Sequence, residues 1–501
     1  MPNTLNSKSM EASITKSDFI RFLHCPRFAW LWKHRPDLRG EFDAGGRFAK
    51  QGMEVEHLAR KLFPKGKEVK GFDGSGFDET KRLIQEGTRV IYQAVAMTSQ
   101  YEAKADILVR VDDGDSWSLY EVKSSATLKE EYLADVYFQW LAFEAAGIKL
   151  ASIHLVTING EYLYRESECI QPKKLFSLHD MTGELPGMEI KWKASVETAR
   201  HVLTSTHEPK VLVLNKALKH ELPHEMLEEY WKGVPEFSVY RISHIAREQL
   251  LDLIGRGILD INSVPDDYFS SERQKRQVEL TKTKRIFVDR PKLKAELKKL
   301  RYPLYFLDYE TIMPAIPMFD GHRPYQIIPF QYSLHVIDHA GAEPRHYDYL
   351  HTRKSDPVPH LAKSLRNHIG DKGSILAWNA PFEKTVTQRM ADQNPKNRHF
   401  LESVNDRLYD LALIFKDIYV DYRFKGSVSI KNVLPVMIPQ LSYEALDIRN
   451  GEMAIQSITE LIGRPFFGRS KIIKELRQYC ELDTLAMVRI FEVLIRTAKG
   501  L

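Results

Sequence analysis

The order of strand and helix patterns after Tyr302 is the strongest constraint on how this chain folds. Three strand-like segments follow one another, and helical and strand-like segments then alternate. In chain order they are strands 304–312, 330–337 and 346–352, helix 356–370, strand 374–379 and helix 381–393. Consecutive strands followed by alternating helices and strands are typical of a mixed sheet with helices packed on it. We therefore predict an α/β domain over residues 301–501.

The first part of the chain shows a second mixed pattern. Its strand-like segments are residues 105–111, 116–122 and 151–158, and residues 128–147 are helical. Residues 186–300 carry mainly helical patterns, and 501 residues exceed the usual length of one domain. We predict three regions, namely an α/β domain at 1–185, a mainly helical connector with a basic end at 186–300, and the α/β domain at 301–501.

The chain carries no sequence signal for export or membrane insertion. No apolar run approaches the roughly 20 residues that cross a bilayer, and the first residues lack the features of a signal peptide. The three cysteines, Cys25, Cys169 and Cys480, are too few and too dispersed for a disulfide framework. These features predict a cytoplasmic protein without a membrane partner.

The basic end of the connector is the strongest local charge imbalance in the sequence. From Glu272 to Arg301 there are twelve Lys or Arg residues against four Asp or Glu, in a chain with a net charge of only +5. Two interpretations remain open from the sequence. The segment is either a mobile, solvated linker or a surface that contacts phosphates.

A first set of candidate site residues lies in a predicted hairpin. The turn is "DDGDS" (112–116), because Asp and Gly supply the backbone angles of a tight reversal. Folding about this turn brings Asp106 close to Glu121, and Glu121 and Lys123 leave the same face of their strand. Two carboxylates suit a hard cation such as Mg²⁺, and a lysine beside them can balance phosphate charge. The alternative is a surface hairpin with ordinary charge alternation.

A second set combines a strand with a late helix. Asp308 and Glu310 lie two residues apart in the apolar segment "LYFLDYETI", so both leave one face of a strand. Burying two acids is costly unless a cation neutralises them. Tyr479 and Asp483 are four residues apart, which places them on one side of a helix. The aspartate can hold the same metal ion, and the phenol can position a water.

The first set resembles the core of PD-(D/E)XK nucleases, in their RecB branch. The matching stretches are "YEVKSS", the opening "FLHCPRFAWL" and the helix with His57. The resemblance implies a metal site and a catalytic lysine: His57, Asp106 and Glu121 as ligands, a contribution from the Val122 carbonyl, Lys123 beside the scissile phosphate and Gln139 at the substrate. Many relatives hold an iron–sulfur cluster with four cysteines. The later cysteines are missing here, so we expect no cluster.

The second set resembles the DEDD exonucleases of the RNase H-like fold, in the subclass that uses tyrosine. Between the two acidic motifs, "WNAPFEKTV" supplies Asn379 and Glu383, with glutamate where the family has aspartate. The resemblance implies that Mg²⁺ or Mn²⁺ is held by Asp308, Glu310, Glu383 and Asp483, that Tyr479 orients the water and that Asn379 contacts substrate. It also suggests a supporting role for Asp410 and an exposed or phosphate-facing Lys431.

Together the two halves resemble a bacterial family of unknown function that joins a RecB-like PD-(D/E)XK nuclease domain to an RNase H-like domain. The fold expected is therefore α/β with two domains, a restriction-endonuclease-like core and an RNase H-like mixed sheet. The function implied is metal-dependent hydrolysis of nucleic acid, with DNA favoured, RNA possible and removal of nucleotides from the 3′ end. Two other classes stay open: a nucleic-acid-binding or scaffold protein with inactive sites, and a metal-dependent enzyme acting on nucleotides. The sequence leaves protein partners open.

Overall fold

The computed structural model describes residues 13–39, 47–111, 114–209, 224–444, 446–463 and 468–500. The chain forms two compact units of mixed α/β structure. Unit 1 comprises residues 1–232 and 314–326, and unit 2 comprises 233–313 and 327–501. The predicted connector is thus divided between the two units. Within the described ranges, no helix is both long and apolar enough to cross a membrane.

Unit 1 contains a seven-stranded sheet flanked by helices. Its strands are β1 (Ile14–Thr15), β2 (Lys67–Glu68), β3 (Val90–Met97), β4 (Tyr101–Arg110), β5 (Trp117–Lys123), β6 (Leu150–Ile158) and β7 (Phe176–Asp180). Its helices are α1 (Lys16–His24), α2 (Pro26–His34), α3 (Arg47–Ala59), α4 (Gly74–Gln85), α5 (Glu130–Ala145), α6 (Pro172–Leu175), α7 (Leu185–Thr204) and α8 (His224–Trp231). The strand order is β2-β3-β4-β5-β6-β7, and β1 pairs with β4.

The predicted hairpin of unit 1 is present as β4 and β5. Their antiparallel register pairs Ile107 with Tyr120, which brings Asp106 beside Glu121. Two residues of the predicted turn, Asp112 and Asp113, lie outside the described residues. The strand after the hairpin, β6, runs parallel to β5, and α5 forms the crossover between them. A parallel pair requires such a crossover, whereas the antiparallel pair is joined by a turn.

Residues 314–326 belong to unit 1 although they lie within the predicted C-terminal domain. Ala315 packs in an apolar cluster with Val55 and Ile158. The Tyr164 amide donates to the His322 carbonyl at 3.0 Å, and the Gly321 amide donates to the Tyr164 carbonyl at 2.9 Å. The domain boundary predicted at residue 301 therefore does not account for residues 314–326. Their packing, and not their position in the chain, places them in unit 1.

Unit 2 contains a five-stranded sheet and a separate two-stranded pair. Its strands are β8 (Ile286–Val288), β9 (Leu304–Ile312), β10 (Ile328–Ile337), β11 (Arg345–Leu350), β12 (Ser374–Ala377), β13 (Leu408–Asp410) and β14 (Tyr419–Asp421). Its helices are α9 (Arg247–Gly255), α10 (Glu272–Thr283), α11 (Arg290–Lys298), α12 (Val358–His368), α13 (Ala380–Gln393), α14 (Arg398–Asp406), α15 (Ile414–Asp417), α16 (Ile430–Met437), α17 (Gly451–Gly463) and α18 (Arg469–Lys499).

The five strands lie in the order β11-β10-β9-β12-β13. Strand β10 is antiparallel to its two neighbours, β11 and β9, and β12 runs parallel to both β9 and β13. The predicted mixed sheet is therefore present. Residues 338–344 join the antiparallel strands β10 and β11, and residues 313–327, most of which belong to unit 1, join β9 and β10. By contrast, α13 and α14 lie in the chain between the parallel strands β12 and β13.

Alternation along β9 sends its side chains into two different cores. Tyr305 and Leu307 pack in a cluster with residues of α12, α13 and α14. Leu304 and Phe306 face the other side, in a cluster that includes α18. Because side chains alternate along a strand, Asp308 and Glu310 continue the α18 side of this pattern. The predicted placement of both acids on one face is confirmed.

Candidate functional site

Three carboxylates converge on the α18 side of the unit 2 sheet. One ligand oxygen from each of Asp308, Glu310 and Asp483 lies within 4.8 Å of the other two. Strand β9 supplies the first two residues, and α18 supplies the third. Glu310 and Asp483 are buried, and Asp308 is half-buried. The prediction that these three acids meet is confirmed.

A buried polar network fixes α18 against the sheet at this point. The Thr484 hydroxyl lies 2.7 Å from the Ser333 hydroxyl and 2.8 Å from the His335 Nδ1 atom. The Gln331 amide donates to the Leu476 carbonyl at 2.9 Å. Burial lowers the pKa of His335 to about 3, so this imidazole is neutral. The network holds Asp483, the residue before Thr484, over the strand acids.

Within the described ranges, the charge of this carboxylate cluster has no ion-pair partner. Burial, followed by the charge of Asp483, raises the pKa of Glu310 to about 8. Burial raises the pKa of Asp483 to about 6, although Tyr443 and Lys431 oppose the shift. Among the described residues, no lysine, arginine or histidine forms an ion pair with Asp308 or with either of these two acids. A divalent cation therefore fits this donor set, because its charge would replace the missing compensation.

Glu383 lies close to the cluster but outside the group of three. It occupies the first turn of α13 and is only 3% exposed, and its Oε2 atom has no hydrogen-bond partner. Burial, followed by the charge of Asp410, raises its pKa to about 8. Its charge in turn raises the pKa of Asp308, after the larger effects of burial and Asp483. Glu383 thus occupies a position from which it contributes to the same electrostatic site.

The start of α13 is set by Asn379 and Asp410. Asn379 adopts a left-handed conformation (φ 67°), and its backbone amide donates to the Asp410 Oδ1 atom at 3.0 Å. The same oxygen accepts a second bond from the Ala412 amide at 3.1 Å. Asp410 therefore positions the turn that carries Glu383, which is the supporting role expected of it. The Asn379 side chain is exposed and available to a ligand.

Tyr443 is a site residue that sequence reasoning missed. Its hydroxyl donates to the Asp483 Oδ1 atom at 2.5 Å, and its ring centroid lies 6.3 Å from that of Tyr479. Burial, followed by the charge of Asp483, raises the pKa of both phenols, so both stay protonated at neutral pH. Tyr443 lies 40 residues before Asp483 and outside any helix or strand, so no periodic pattern indicates it.

We expect Tyr443→Phe to lower metal affinity or activity by roughly 10- to 100-fold, because groups that orient a ligand have effects of this size. The measurement is the Mn²⁺ concentration that gives half-maximal activity. Tyr347→Phe is the matched control, since Tyr347 stacks on His368 with ring centroids 4.4 Å apart, in the other core. Equal behaviour of the two variants would show that Tyr443 does not orient Asp483.

The hairpin of unit 1 brings Asp106, Glu121 and Lys123 together. In contrast to the carboxylates of unit 2, its acids lie beside a lysine. The Val122 amide donates to the Asp106 Oδ2 atom at 2.8 Å, and Lys123 Nζ donates to the Glu121 Oε1 atom at 2.7 Å. Lys123 also pairs with Asp135 of α5. Burial, followed by the charge of Glu121, raises the pKa of Asp106. The predicted grouping of Asp106, Glu121 and Lys123 is therefore present.

Lys16 is a second residue that sequence reasoning missed. It lies at the start of α1, and its Nζ atom is 2.7 Å from Glu121 Oε1 and 3.5 Å from Asp135 Oδ1. Burial opposes ionisation of Glu121, but the charges of Lys123 and Lys16 outweigh it and lower its pKa to about 2. The Asp106 Oδ1 atom accepts a bond from Gln93 at 3.3 Å. Only Glu121 Oε2 remains without a partner, so these residues fit a metal ion poorly.

The structure places two further candidate residues of unit 1. His57 is exposed on α3, and the adjacent Glu56 shares the Gln93 side chain with Asp106. Consecutive residues of a helix point about 100° apart, so Glu56 and His57 point in different directions. Gln139 is fully buried and donates to Asp135 Oδ1 at 2.9 Å. It therefore positions Asp135, and the metal role of His57 and the substrate role of Gln139 stay predictions.

Two comparisons with known proteins give matches to this chain. Residues 305–429 match the family described as "Domain of unknown function (DUF2779)". This range includes Asp308, Glu310 and Glu383 but ends before Asp483. The "Uncharacterized protein MG366 homolog" of Mycoplasma pneumoniae (strain ATCC 29342 / M129 / Subtype 1) is 28% identical over 225 residues, which are 40% of this chain and 33% of that protein. The match thus spans about a third of this relative's length.

Proposed function

We propose that unit 2 is a metal-dependent exonuclease that removes nucleotides from the 3′ end of nucleic acid, with DNA as the favoured substrate. One observation carries the proposal. Three buried or half-buried carboxylates lie within 4.8 Å of one another, without an ion-pair partner among the described residues. The orphaned Oε2 atom of buried Glu383 supports it, because a buried carboxylate oxygen without a partner is costly.

The sheet order supports the RNase H-like assignment that the resemblance implies. Three antiparallel strands followed by two parallel strands place the first strand, β9, at the centre of the sheet. The acids on β9 and the acid on α18 then meet on one face. This is the arrangement that the motif order of DEDD exonucleases requires, and here Glu383 takes the place of their aspartate.

Asp308, Glu310 and Asp483 would hold the first ion, and Glu383 would contribute to a second. Bound Mg²⁺ or Mn²⁺ would stabilise the charge on the attacking and leaving oxygens of the phosphodiester. Tyr479 stays protonated and donates a hydrogen bond that orients the attacking water. Tyr443 holds Asp483 in position. Exposed Lys431 lies near enough to lower the pKa of Asp483, and it is the cation available to a substrate phosphate.

For unit 1 we propose nucleic-acid binding in place of hydrolysis. The specific observation is that Lys16 and Lys123 both bind the Glu121 Oε1 atom, at 2.7 Å each. A carboxylate held by two ammonium groups is already neutralised, so it offers little to a divalent cation. On this proposal, the second lysine, Lys16, would weaken metal binding at the site that the RecB-like resemblance implies.

A substrate panel tests the proposal. The wild-type protein is incubated with Mg²⁺ or Mn²⁺ and with single- and double-stranded DNA and RNA, each labelled at the 5′ or the 3′ end. Free nucleotides are tested in parallel. A 3′–5′ exonuclease gives a ladder of shortened products from the 5′-labelled strand and only mononucleotides from the 3′-labelled strand. If every polymer stays intact while free nucleotides are hydrolysed, the protein acts on nucleotides. If nothing is hydrolysed, the binding or scaffold interpretation stands.

A further inference from the structure

The basic segment 272–301 is folded, which decides against a mobile linker. It forms α10, β8 and α11, and β8 pairs with β14 of the same unit. On α11, Leu293 is fully buried in the apolar cluster that also contains Phe306 and Phe491. The charges of this segment therefore lie on a fixed surface of unit 2.

Part of the positive charge in this segment is paired internally. Lys275, Lys282 and Lys299 form ion pairs with Glu272, Asp266 and Glu296 at 2.9, 2.6 and 2.7 Å. The remaining cations behave differently. Seven exposed side chains have no ion pair with any described acid, namely Lys284, Arg285, Arg290, Lys292, Lys294, Lys298 and Arg301.

Three of the unpaired cations form a stripe on α11. Arg290, Lys294 and Lys298 follow one another at intervals of four residues, so they share one face and extend over about 12 Å of helix. Like charges at this spacing destabilise a helix by roughly 0.2–0.5 kcal/mol per pair. Leu293, which lies about 100° around the helix from Lys294, anchors α11 in the core. The three positive side chains of α11 thus repel one another, and a bound polyanion would reduce this repulsion.

We propose that the α11 stripe, defined as Arg290, Lys294 and Lys298, binds the phosphate backbone of the nucleic acid that unit 2 processes. This inference rests on the proposed function and names the surface that holds the substrate. Leu293 packs in the same cluster as Phe491, which lies eight residues, or about 12 Å, along α18 from Asp483. The stripe and the carboxylate cluster are therefore carried by elements packed on one core. A nucleic acid strand accounts for both features, whereas an anionic membrane surface accounts only for the stripe.

The test is the salt dependence of binding by the full-length chain. Fluorescence anisotropy measures the affinity for a fluorescein-labelled single-stranded DNA in EDTA, between roughly 50 and 200 mM NaCl. The stripe variant is Arg290→Gln/Lys294→Gln/Lys298→Gln. Its matched control is Lys275→Gln/Lys282→Gln/Lys299→Gln, which removes the same charge from ion-paired lysines of the same segment. Thermal unfolding confirms that both variants are folded. If the stripe variant is not, Lys294→Gln replaces it, and if the control is not, Lys299→Gln replaces it.

The stripe variant is expected to reduce the slope of log K against log salt by about 2, because each phosphate contact on a single strand contributes about 0.7. For Lys294→Gln alone, the reduction is about 0.7. The control is expected to leave the slope nearly unchanged. Equal reductions in both triple variants would overturn the inference, because net charge alone would then explain binding. An unchanged slope in the stripe variant would also overturn it.

Two further outcomes separate this inference from the proposed function. Vesicles containing phosphatidylserine are tested in parallel, and loss of vesicle binding with unchanged DNA binding would assign the stripe to a membrane surface instead. If the slope falls as expected in the stripe variant but the wild-type protein hydrolyses nothing, the inference stands and the exonuclease proposal fails. If the wild-type protein binds neither DNA nor RNA, both fail.

Discussion

Replacing Asp308 with asparagine is expected to lower metal-dependent hydrolysis by about 10³-fold, while the protein remains folded. The substitution keeps the shape of the side chain and removes one of the three charges that lie within 4.8 Å. A bound metal ion contributes several kcal/mol of charge stabilisation to a phosphodiester transition state, and about 4 kcal/mol corresponds to a factor of 10³. The measurement is the initial rate on a 5′-labelled strand at saturating Mn²⁺.

Two variants control for general damage and for activity of unit 1. Asp338→Asn makes the same chemical change at an exposed acid that pairs with Arg345 at 2.7 Å. It is expected to keep wild-type activity. Lys123→Ala disrupts the charged group of unit 1 and is expected to leave hydrolysis intact. A product ladder that disappears in Lys123→Ala and persists in Asp308→Asn would place the nuclease in unit 1 and reject the proposal.

Treatment with EDTA is expected to make thermal stability fall as pH rises from about 6 to 8, and Mn²⁺ is expected to reverse this loss. The pKa values of Glu310 and Glu383 are raised to about 8 in the folded state, whereas the ordinary value for glutamate is 4.5. The folded chain therefore retains protons that the unfolded chain has released. Stability linked to these acids is fully present near pH 4 and is lost as pH rises through about 8.

The size of the effect follows from the same shifts. For Glu310 alone, the difference corresponds to on the order of 5 kcal/mol, and the coupled acids do not add independently. A cation at about 100 times its Kd adds roughly 2.7 kcal/mol of stability, which corresponds to about 5–10 °C in Tm. The rise is expected to be larger at pH 8 than at pH 6, where the cation must displace protons.

Differential scanning fluorimetry across this pH range measures both effects. The control is Asp308→Asn/Glu310→Gln, which removes two of the acids. Its Tm is expected to depend less on pH in EDTA and to respond weakly to Mn²⁺. A wild-type Tm that rises with Mn²⁺ equally at both pH values would contradict the link between metal binding and these carboxylates. The same rise in wild type and control would show that the ion binds elsewhere.

The two units illustrate two ways of accommodating buried acids. In unit 1, Lys16 and Lys123 supply fixed positive charge, so Glu121 is ionised and its pKa lies at about 2. In unit 2, the exposed Lys431 acts only at a distance, and the pKa of Glu310 rises to about 8. The first arrangement is complete in the protein alone. We propose that an external cation completes the second arrangement, and we therefore propose catalysis there.

Much of the fold and part of the site could be predicted because they depend on local geometry. The segment "LYFLDYETI" forms β9 over Leu304–Ile312, and its period of two residues puts Asp308 and Glu310 on one face. The helical period likewise placed Tyr479 and Asp483 on one side of α18. These relations hold within a single element, so they need no knowledge of the remaining chain. The metal role of His57 stays a prediction, because sequence similarity does not specify which side of a helix faces the site.

By itself, then, the sequence determined the strands, the helices and the residues that share a face within each of them. Only the tertiary structure decided which distant groups complete the two sites. Lys16 reaches Glu121 across 105 positions, and Tyr443 reaches Asp483 across 40. Such contacts arise when separate elements pack together, and no repeat in the sequence encodes them. Packing also fixed the charge balance, because burial and neighbouring charges set the pKa of each acid. The tertiary structure therefore distinguished an acid site closed by lysines from one that remains open to a cation.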